Sequence, residues 1–402
     1  MPGIAEYFTP IALAVWLTFS ALSLYGTHFY LGGVGHRYQL ALHPAAVVII
    51  PIRGVPDCFP ELWATLLAQT YDRWRVMFVV ESETDPACAA IKEAMQRSRP
   101  PWSIEIVVAE AATESSQLNR NCLAAIGRLR PEDEVVVFSV ADMVPTPECL
   151  AQTIHPLNTR DIWFVSAYPF MLPSDSRLST AVSCALCESL ACIPRVPQRS
   201  NIAWGGTMAL RRQTLETLDL SRWWGSTISN DSTMTRALWE KGGSIFGGRV
   251  MLIPSRESFG WIELMRLWRR WYLNARLYLP LYWLGAAVGS LVPIIGWATA
   301  VPLAIEGNLA AIGILGIAVG LHQWRATLRR RLRLALSPGH DDRVLAWADR
   351  WGAPAWCVLR AGIIWSVLFM RTVHWAGRVY RIDGPHRIRV VEGPAAPATT
   401  TS

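Results

Sequence analysis

Residues 133–150 read "DEVVVFSVADMVPTPECL", a β-branched run of strand length that ends on a carboxylate, Asp142, and a proline-containing turn. Three similar runs precede it: "AAVVIIPI" (45–52), "WRVMFVVES" (74–82) and "IEIVVAE" (104–110). Helix-patterned stretches such as "CFPELWATLLAQ" (58–69) and "ACAAIKEAMQRS" (87–98) separate them. Strand, helix, strand in repetition predicts an α/β domain over residues 45 to 260, a parallel sheet with helices on both faces. Ligands of such sheets sit beyond the carboxyl ends of the strands. "PIRGV" (51–55), "ESETD" (81–85) and "VADMVP" (140–145) therefore make Arg53, Glu81, Glu83, Asp85 and Asp142 candidate ligand contacts.

Each of these has two readings. Asp142 fits a turn-forming Asx residue, and it equally fits a ligand for a divalent cation bridging a diphosphate, since Mg2+ and Mn2+ favour carboxylate oxygens. The acids of "ESETD" suit ribose hydroxyls or a base edge, as well as a solvated loop. In "ISNDSTMTRALWEKGG" (228–243), Asp231 stands at the first turn of a helix, where Asn230, Asp231 and Ser232 are all good caps. Just upstream, Gly205 and Gly206 would let a backbone pass close to a ligand. Downstream, "MRLWRRWYLNARLYLP" (265–280) brings Arg266, Arg269, Arg270, Trp268 and Trp271 onto an apolar block. There they can anchor at a bilayer surface or neutralise a departing diphosphate.

Composition frames the domain with membrane. Among 402 residues, 51% are hydrophobic and 17% charged, too apolar for a purely soluble enzyme and too charged for a polytopic carrier. No charged residue falls between Tyr7 and Gly35, so "TPIALAVWLTFSALSLYGTHFYL" (9–31) predicts a spanning helix; lacking a basic leader, it reads as an uncleaved anchor. Arg37 then places the following domain on the cytoplasmic side. Leu277 to Trp324 carries Glu306 as its only charge and predicts a helical hairpin. The net charge of +7 is nearly all arginine, and Arg325, Arg329, Arg330, Arg331 and Arg333 directly after that hairpin read as phospholipid-facing rather than nucleic-acid binding. "APAWCVLRAGIIWSVLFM" (353–370), with Arg360 inside it, reads as re-entrant or interfacial, because a full span would export the basic stretch after it. Of eight cysteines, Cys184, Cys187 and Cys192 share a helix face, which suits apolar packing better than a metal.

The ordered set "PIRGV", "ESETDPA", "VADMVPTPECL", "WGGTMALRR", "NDSTMTRALWEKGG", "RRW" and "WAGRVYRI" resembles the membrane-bound inverting glycosyltransferases of family 2/21 type, most closely ceramide glucosyltransferases. The resemblance implies a GT-A, Rossmann-like nucleotide-sugar domain, a divalent metal (Mg2+ or Mn2+), a UDP-sugar donor and a lipid acceptor. Carried over, it makes Asp231 the catalytic base and Asp142 the metal ligand. Arg53, Glu81, Glu83, Asp85, Gly206, Arg270 and Trp271 join Asp142 as nucleotide-sugar contacts. Val140 stands where the first carboxylate of D-x-D is usual, Leu267 opens the final motif in place of Gln or Arg, Asn230 replaces an acid, and Leu118 replaces a Lys.

The expected organisation is an anchor at 1–36, a cytoplasmic GT-A domain at 37–276, a hairpin at 277–324, a basic loop with an interfacial segment at 325–382 and a disordered tail at 383–402. The expected activity is hexosyl transfer to a membrane lipid such as ceramide or diacylglycerol, at the inner (cell) membrane of a bacterium. A processive polysaccharide synthase and a catalytically degenerate membrane scaffold are the competing readings.

Overall fold

The computed structural model describes residues 4–33, 42–143, 145–193, 198–247, 251–340 and 342–393. Arg37, on which the anchor's orientation was argued, lies outside them. A long apolar helix, α1 (Ile4–Leu31), precedes the predicted alternation: β1 (Ala46–Pro51), α2 (Phe59–Leu67), β2 (Trp74–Val80), α3 (Pro86–Ser98), β3 (Ile104–Val108), α4 (Gln117–Ile126) and β4 (Val135–Ser139). These strands are parallel neighbours in the order β3-β2-β1-β4. Val48, Ile50, Val76, Phe78 and Val137 pack on one face with Leu62 and Trp63 of α2. Val47, Ile49, Met77, Val79 and Phe138 pack on the other with Cys122 and Ala125 of α4. Covering both faces is what makes these strands read as continuous apolar runs.

The second half corrects the expectation of a parallel sheet. It comprises α5 (Cys149–Ile154), β5 (Phe164–Pro173), α6 (Leu178–Ala191), β6 (Thr207–Arg211), α7 (Arg212–Thr217), α8 (Leu220–Trp224), α9 (Asn230–Glu240), β7 (Ile245–Phe246) and β8 (Leu252–Glu257). Strand β6 inserts between β4 and β5, antiparallel to both, so the sheet is mixed, with order β3-β2-β1-β4-β6-β5-β7 and β8 beside the far half of β5. An antiparallel strand starts where its neighbours end. Thr207 opposite Ser139 thus brings Gly205 and Gly206 to the same edge as Asp142.

The chain continues through α10 (Trp261–Tyr278), α11 (Pro280–Ile305), α12 (Leu309–Leu336), α13 (Arg343–Trp351) and α14 (Ala353–Ser366) to an antiparallel sheet of β9 (Thr372–Trp375), β10 (Arg378–Gly384) and β11 (Arg387–Glu392). Among the described residues, three helices are long and apolar enough to cross a membrane: Thr9–Leu31, Pro280–Ile305 and Leu309–Leu336. Leu13 and Trp16 of α1 pack with Ala300 and Ala318 of α11 and α12. The Trp16 indole lies on Gly296, where any Cβ would overlap it, a close approach of the kind small residues permit between membrane helices. Helix α14, at 14 residues, is too short to span.

Two further expectations change. The tail is ordered beyond residue 383, since β11 pairs with β10 and buries Ile388. The arginines after the hairpin belong to α12, and two of them are buried inside the protein rather than on its surface: Arg329 and Arg333 are each 1% exposed. Their spacing puts both on one helix face. Arg333 donates to both oxygens of Glu188 on α6 at 2.7 and 3.0 Å and to Asp342 at 3.1 Å. Arg329 donates to Asp349 of α13 at 3.0 Å. Carboxylates from α6 and from α13 with its N-terminal end make this burial tolerable. The cysteine cluster on α6 packs as expected, free and buried, and burial pushes the Cys187 thiol up to about 12.

Removing one partner of a buried guanidinium leaves its charge uncompensated. Glu188→Ala should cost on the order of 3–5 kcal/mol, read as a fall in the denaturation midpoint in detergent. Arg331→Ala, on the exposed face of the same helix, should stay within about 0.5 kcal/mol.

Candidate active site

The carboxyl ends of β4 and β8, the N-terminus of α9 and the middle of α10 open on one cavity of about 1080 Å³. Five of the predicted residues line it: Asp142, Gly206, Asp231, Arg270 and Trp271. Asp142 is exposed to the cavity yet enclosed by the surrounding fold. That desolvation pushes its carboxyl up, with the Arg270 charge pulling the other way. Glu257, at the end of β8, lines the same space. Burial first, then the charge of Asp142, pushes it up to about 7, against a hydrogen bond of 2.7 Å from the Ser255 hydroxyl.

Arg270 answers these acids. Burial lowers it to about 10, opposed by Asp231 and then Asp142, so it stays charged at neutral pH. Its guanidinium carbon lies over the Trp375 ring, 4.3 Å from the centroid, a cation–π contact. Trp271 packs beside it between Trp268 and Trp204, at centroid distances of 5.0 and 5.9 Å.

The helix cap is neither Asn230 nor Asp231. Ser229 takes that place, its hydroxyl accepting from the Ser232 amide at 3.2 Å. Asp231 sits in the first turn, and its Oδ1 accepts from the Ser229 hydroxyl at 2.5 Å and the Ser232 amide at 2.6 Å. Its Oδ2 turns toward the glycine pair and accepts from the Gly205 amide at 3.1 Å. Both oxygens are held, which orients the carboxylate at the cavity wall. Behind it, the space a side chain on Gly206 would need is taken by Met143, whose sulfur would stand 2.9 Å from a Cβ.

The donor set suits a hard divalent cation. Among the described residues no group of three or more His, Cys, Asp or Glu forms a metal cage. Asp142 and Glu257 nevertheless supply two carboxylates to one cavity, enough for an ion that takes one or two protein carboxylates and fills its remaining positions with phosphate oxygens and water.

The other predicted contacts are not among the residues lining this cavity. Asp85 caps α3, accepting from the Ala87 amide at 2.9 Å, and also accepts from the Gly54 amide at 2.8 Å. Glu81 pairs with Arg378 of β10, and Arg53 donates to the Ala376 carbonyl in the β9–β10 turn. Glu83 is exposed. Sequence reasoning missed Glu257 and Trp375. Glu257 carried one signal, a lone acid at the end of a short apolar run just before the Trp-Arg helix; Trp375 sat within a quoted motif but nothing local pointed it at Arg270.

Because the folded value of Glu257 lies above its ordinary 4.5, its contribution to stability is complete below that pH and lost as pH rises through about 7. With metal chelated, the wild-type melting midpoint should fall across that window relative to Glu257→Gln, whose profile should be flatter.

No curated protein matches the chain. Among solved structures it is similar to a mannosyltransferase from Pyrobaculum calidifontis in complex with GDP-Man and Mn2+, at 16% identity over 85% of this chain and 99% of that one, with a TM-score of 0.47. It is also similar to glucosyl-3-phosphoglycerate synthase from Mycobacterium tuberculosis in complex with Mn2+, UDP and glucosyl-3-phosphoglycerate, at 12% identity over 60% and 85%, with a TM-score of 0.38. A family model described as glycosyl transferase family 21 matches residues 12–388. With nearly the whole length matched and acids, arginine and helix terminus gathered at one sheet edge, the chain belongs to glycosyl transferase family 21.

Proposed function

We propose that the enzyme transfers a single hexose, glucose from UDP-glucose, to a hydroxyl of a membrane lipid such as ceramide or diacylglycerol, from the cytoplasmic side. One observation carries this reading: the cavity holding Asp142, Asp231 and Arg270 continues without interruption past Trp271 and Tyr282 to Phe19 and Gly289 on the apolar helices. A hydroxyl at the head of a lipid can reach Asp231 while its chains stay against α1 and α11. Arg330 and Arg331, exposed near the end of α12, favour a cytoplasmic catalytic domain, and α14 is short enough to lie along the interface.

In this reading the reaction is one displacement with inversion. The acceptor oxygen forms a bond to the anomeric carbon as the bond to the diphosphate oxygen breaks, and the acceptor proton passes to Asp231. The Ser229 hydroxyl and the Ser232 and Gly205 amides hold that carboxylate so that it need not reorganise. Arg270, in contact with the Trp375 ring, offers its positive charge to the departing UDP. A divalent cation held by Asp142 and Glu257 would supply Lewis-acid stabilisation of the same diphosphate. Three candidate spans among the described residues favour transfer of one sugar over a channel-forming polysaccharide synthase.

In lipid nanodiscs containing ceramide or diacylglycerol, UDP release should occur with one or more UDP-sugars. Asp231→Asn should lower turnover by about 10²–10⁴-fold while leaving Mn2+-dependent UDP binding, measured by calorimetry, close to wild type. Absence of metal-dependent UDP affinity in the wild type would instead support a scaffold.

A further inference from the structure

The cavity has a second polar end that the transfer chemistry does not use. Between α1, α12, α13 and α14 it is lined by His322, Arg325, Arg329, Asp349 and Arg360. Three guanidiniums there face one lining carboxylate, Asp349, whose Oδ2 is itself buried without a hydrogen-bond partner. Asp349 Oδ1 accepts from Arg329 at 3.0 Å, and its Oδ2 lies 3.8 Å from Arg333. Among the described residues Arg325 hydrogen-bonds neutral groups: it donates to the Ser23 hydroxyl of α1 at 3.2 Å and to His322 Nδ1 at 2.5 Å. The other His322 nitrogen is 3.0 Å from the Arg350 carbonyl, so the ring donates there and accepts from Arg325 as neutral imidazole. Arg360 faces the space from α14 with no carboxylate of its own among the described residues. The Nε of Arg325 and both Nε and Nη2 of Arg329 are buried without a hydrogen-bond partner, and Arg329 is 1% exposed.

Buried cations in excess of their counter-charges are costly, and unpaired N–H groups add to that cost. The corner is therefore incomplete without an anion. Its neighbouring wall is apolar and belongs to the membrane helices, with Trp16 and Phe19 of α1 facing Gly289, Pro293 and Trp297 of α11. A guanidinium cluster at the end of an apolar slot matches a molecule with an anionic phosphate at one end and a hydrocarbon chain at the other. We propose that this corner binds the phosphate of a net-anionic membrane phospholipid, with an acyl chain against Trp16, Pro293 and Trp297, beyond the stretch the acceptor chains occupy. The site rests on its own geometry rather than on the identity of the acceptor, and its test reads binding rather than turnover.

The full chain, purified in a nonionic detergent, is offered equal phosphatidylglycerol and phosphatidylcholine and examined by native mass spectrometry. Wild type should retain phosphatidylglycerol with a preference of about tenfold, and Arg325→Gln with Arg360→Gln should bring that preference near parity. Metal-dependent UDP binding serves as the folding control. In the wild type alone, a photoactivatable phosphatidylglycerol should label α1 or α11 around Trp16, Pro293 and Trp297, so a poorly folding double variant does not leave the question open. Equal retention of the two lipids, a preference that survives both substitutions, or labelling confined to other segments overturns the proposal. So does inorganic phosphate that displaces the lipid at millimolar concentration, since it assigns the anion to solution rather than to the bilayer.

Discussion

A guanidinium shut away from water must be met by carboxylates, and Arg333 is met by Glu188 and Asp342 from opposite sides of the membrane hairpin in sequence. This requirement fixes α12 against α6 and the start of α13. Helix α6 is in turn tied to the sheet, where the Tyr168 hydroxyl of β5 donates to the Cys187 carbonyl at 3.1 Å. The hairpin is therefore held in register with the sheet edge rather than merely tethered to it. The cavity shared by the sheet edge and the long apolar helices depends on that register.

Arg270 plays the corresponding part inside the cavity. It is the cation toward which Asp231, Asp142 and Glu257 are all oriented electrostatically, and it comes from α10, the helix that leads into the hairpin. Trp375, from the C-terminal sheet, makes the cation–π contact with it. The last strands of the chain thus complete a site begun by the first ones: Arg378 reaches Glu81 and the Val390 amide donates to the Thr113 carbonyl at 3.0 Å.

What could be read from the sequence was what depends on near neighbours. Strands β1 to β4 announce themselves by continuous apolar runs, and the carboxylate ending "VVVFSVAD" falls at the ligand edge because strands of a parallel sheet end there. Asp231 was legible as a helix-terminal acid, but the cap went to Ser229, and this difference frees Asp231 to reach Gly205. The direction of β6 was not legible, since a five-residue apolar strand carries no mark of the way it runs. Nor was the burial of Arg329 and Arg333, whose basic run looks the same whether it meets lipid or carboxylates; the partner Glu188 lies 145 residues away.

The same distinction separates structural from chemical acids. Asp85 is satisfied by amides at the cap of α3 and in the adjacent loop, and Glu81 by an arginine, so each already has its complement. Asp142 and Glu257 are in neither position: they share an enclosed space, and burial holds both carboxyls above their ordinary range while Glu257 also feels the charge of Asp142. A pair arranged in that way is unstable toward ionisation by itself and is relieved by any positive charge brought between its members. Val140 lines the cavity beside Asp142 and packs partly against the apolar face below the sheet edge. Glu257 brings a second carboxylate to the same space from a different strand, β8.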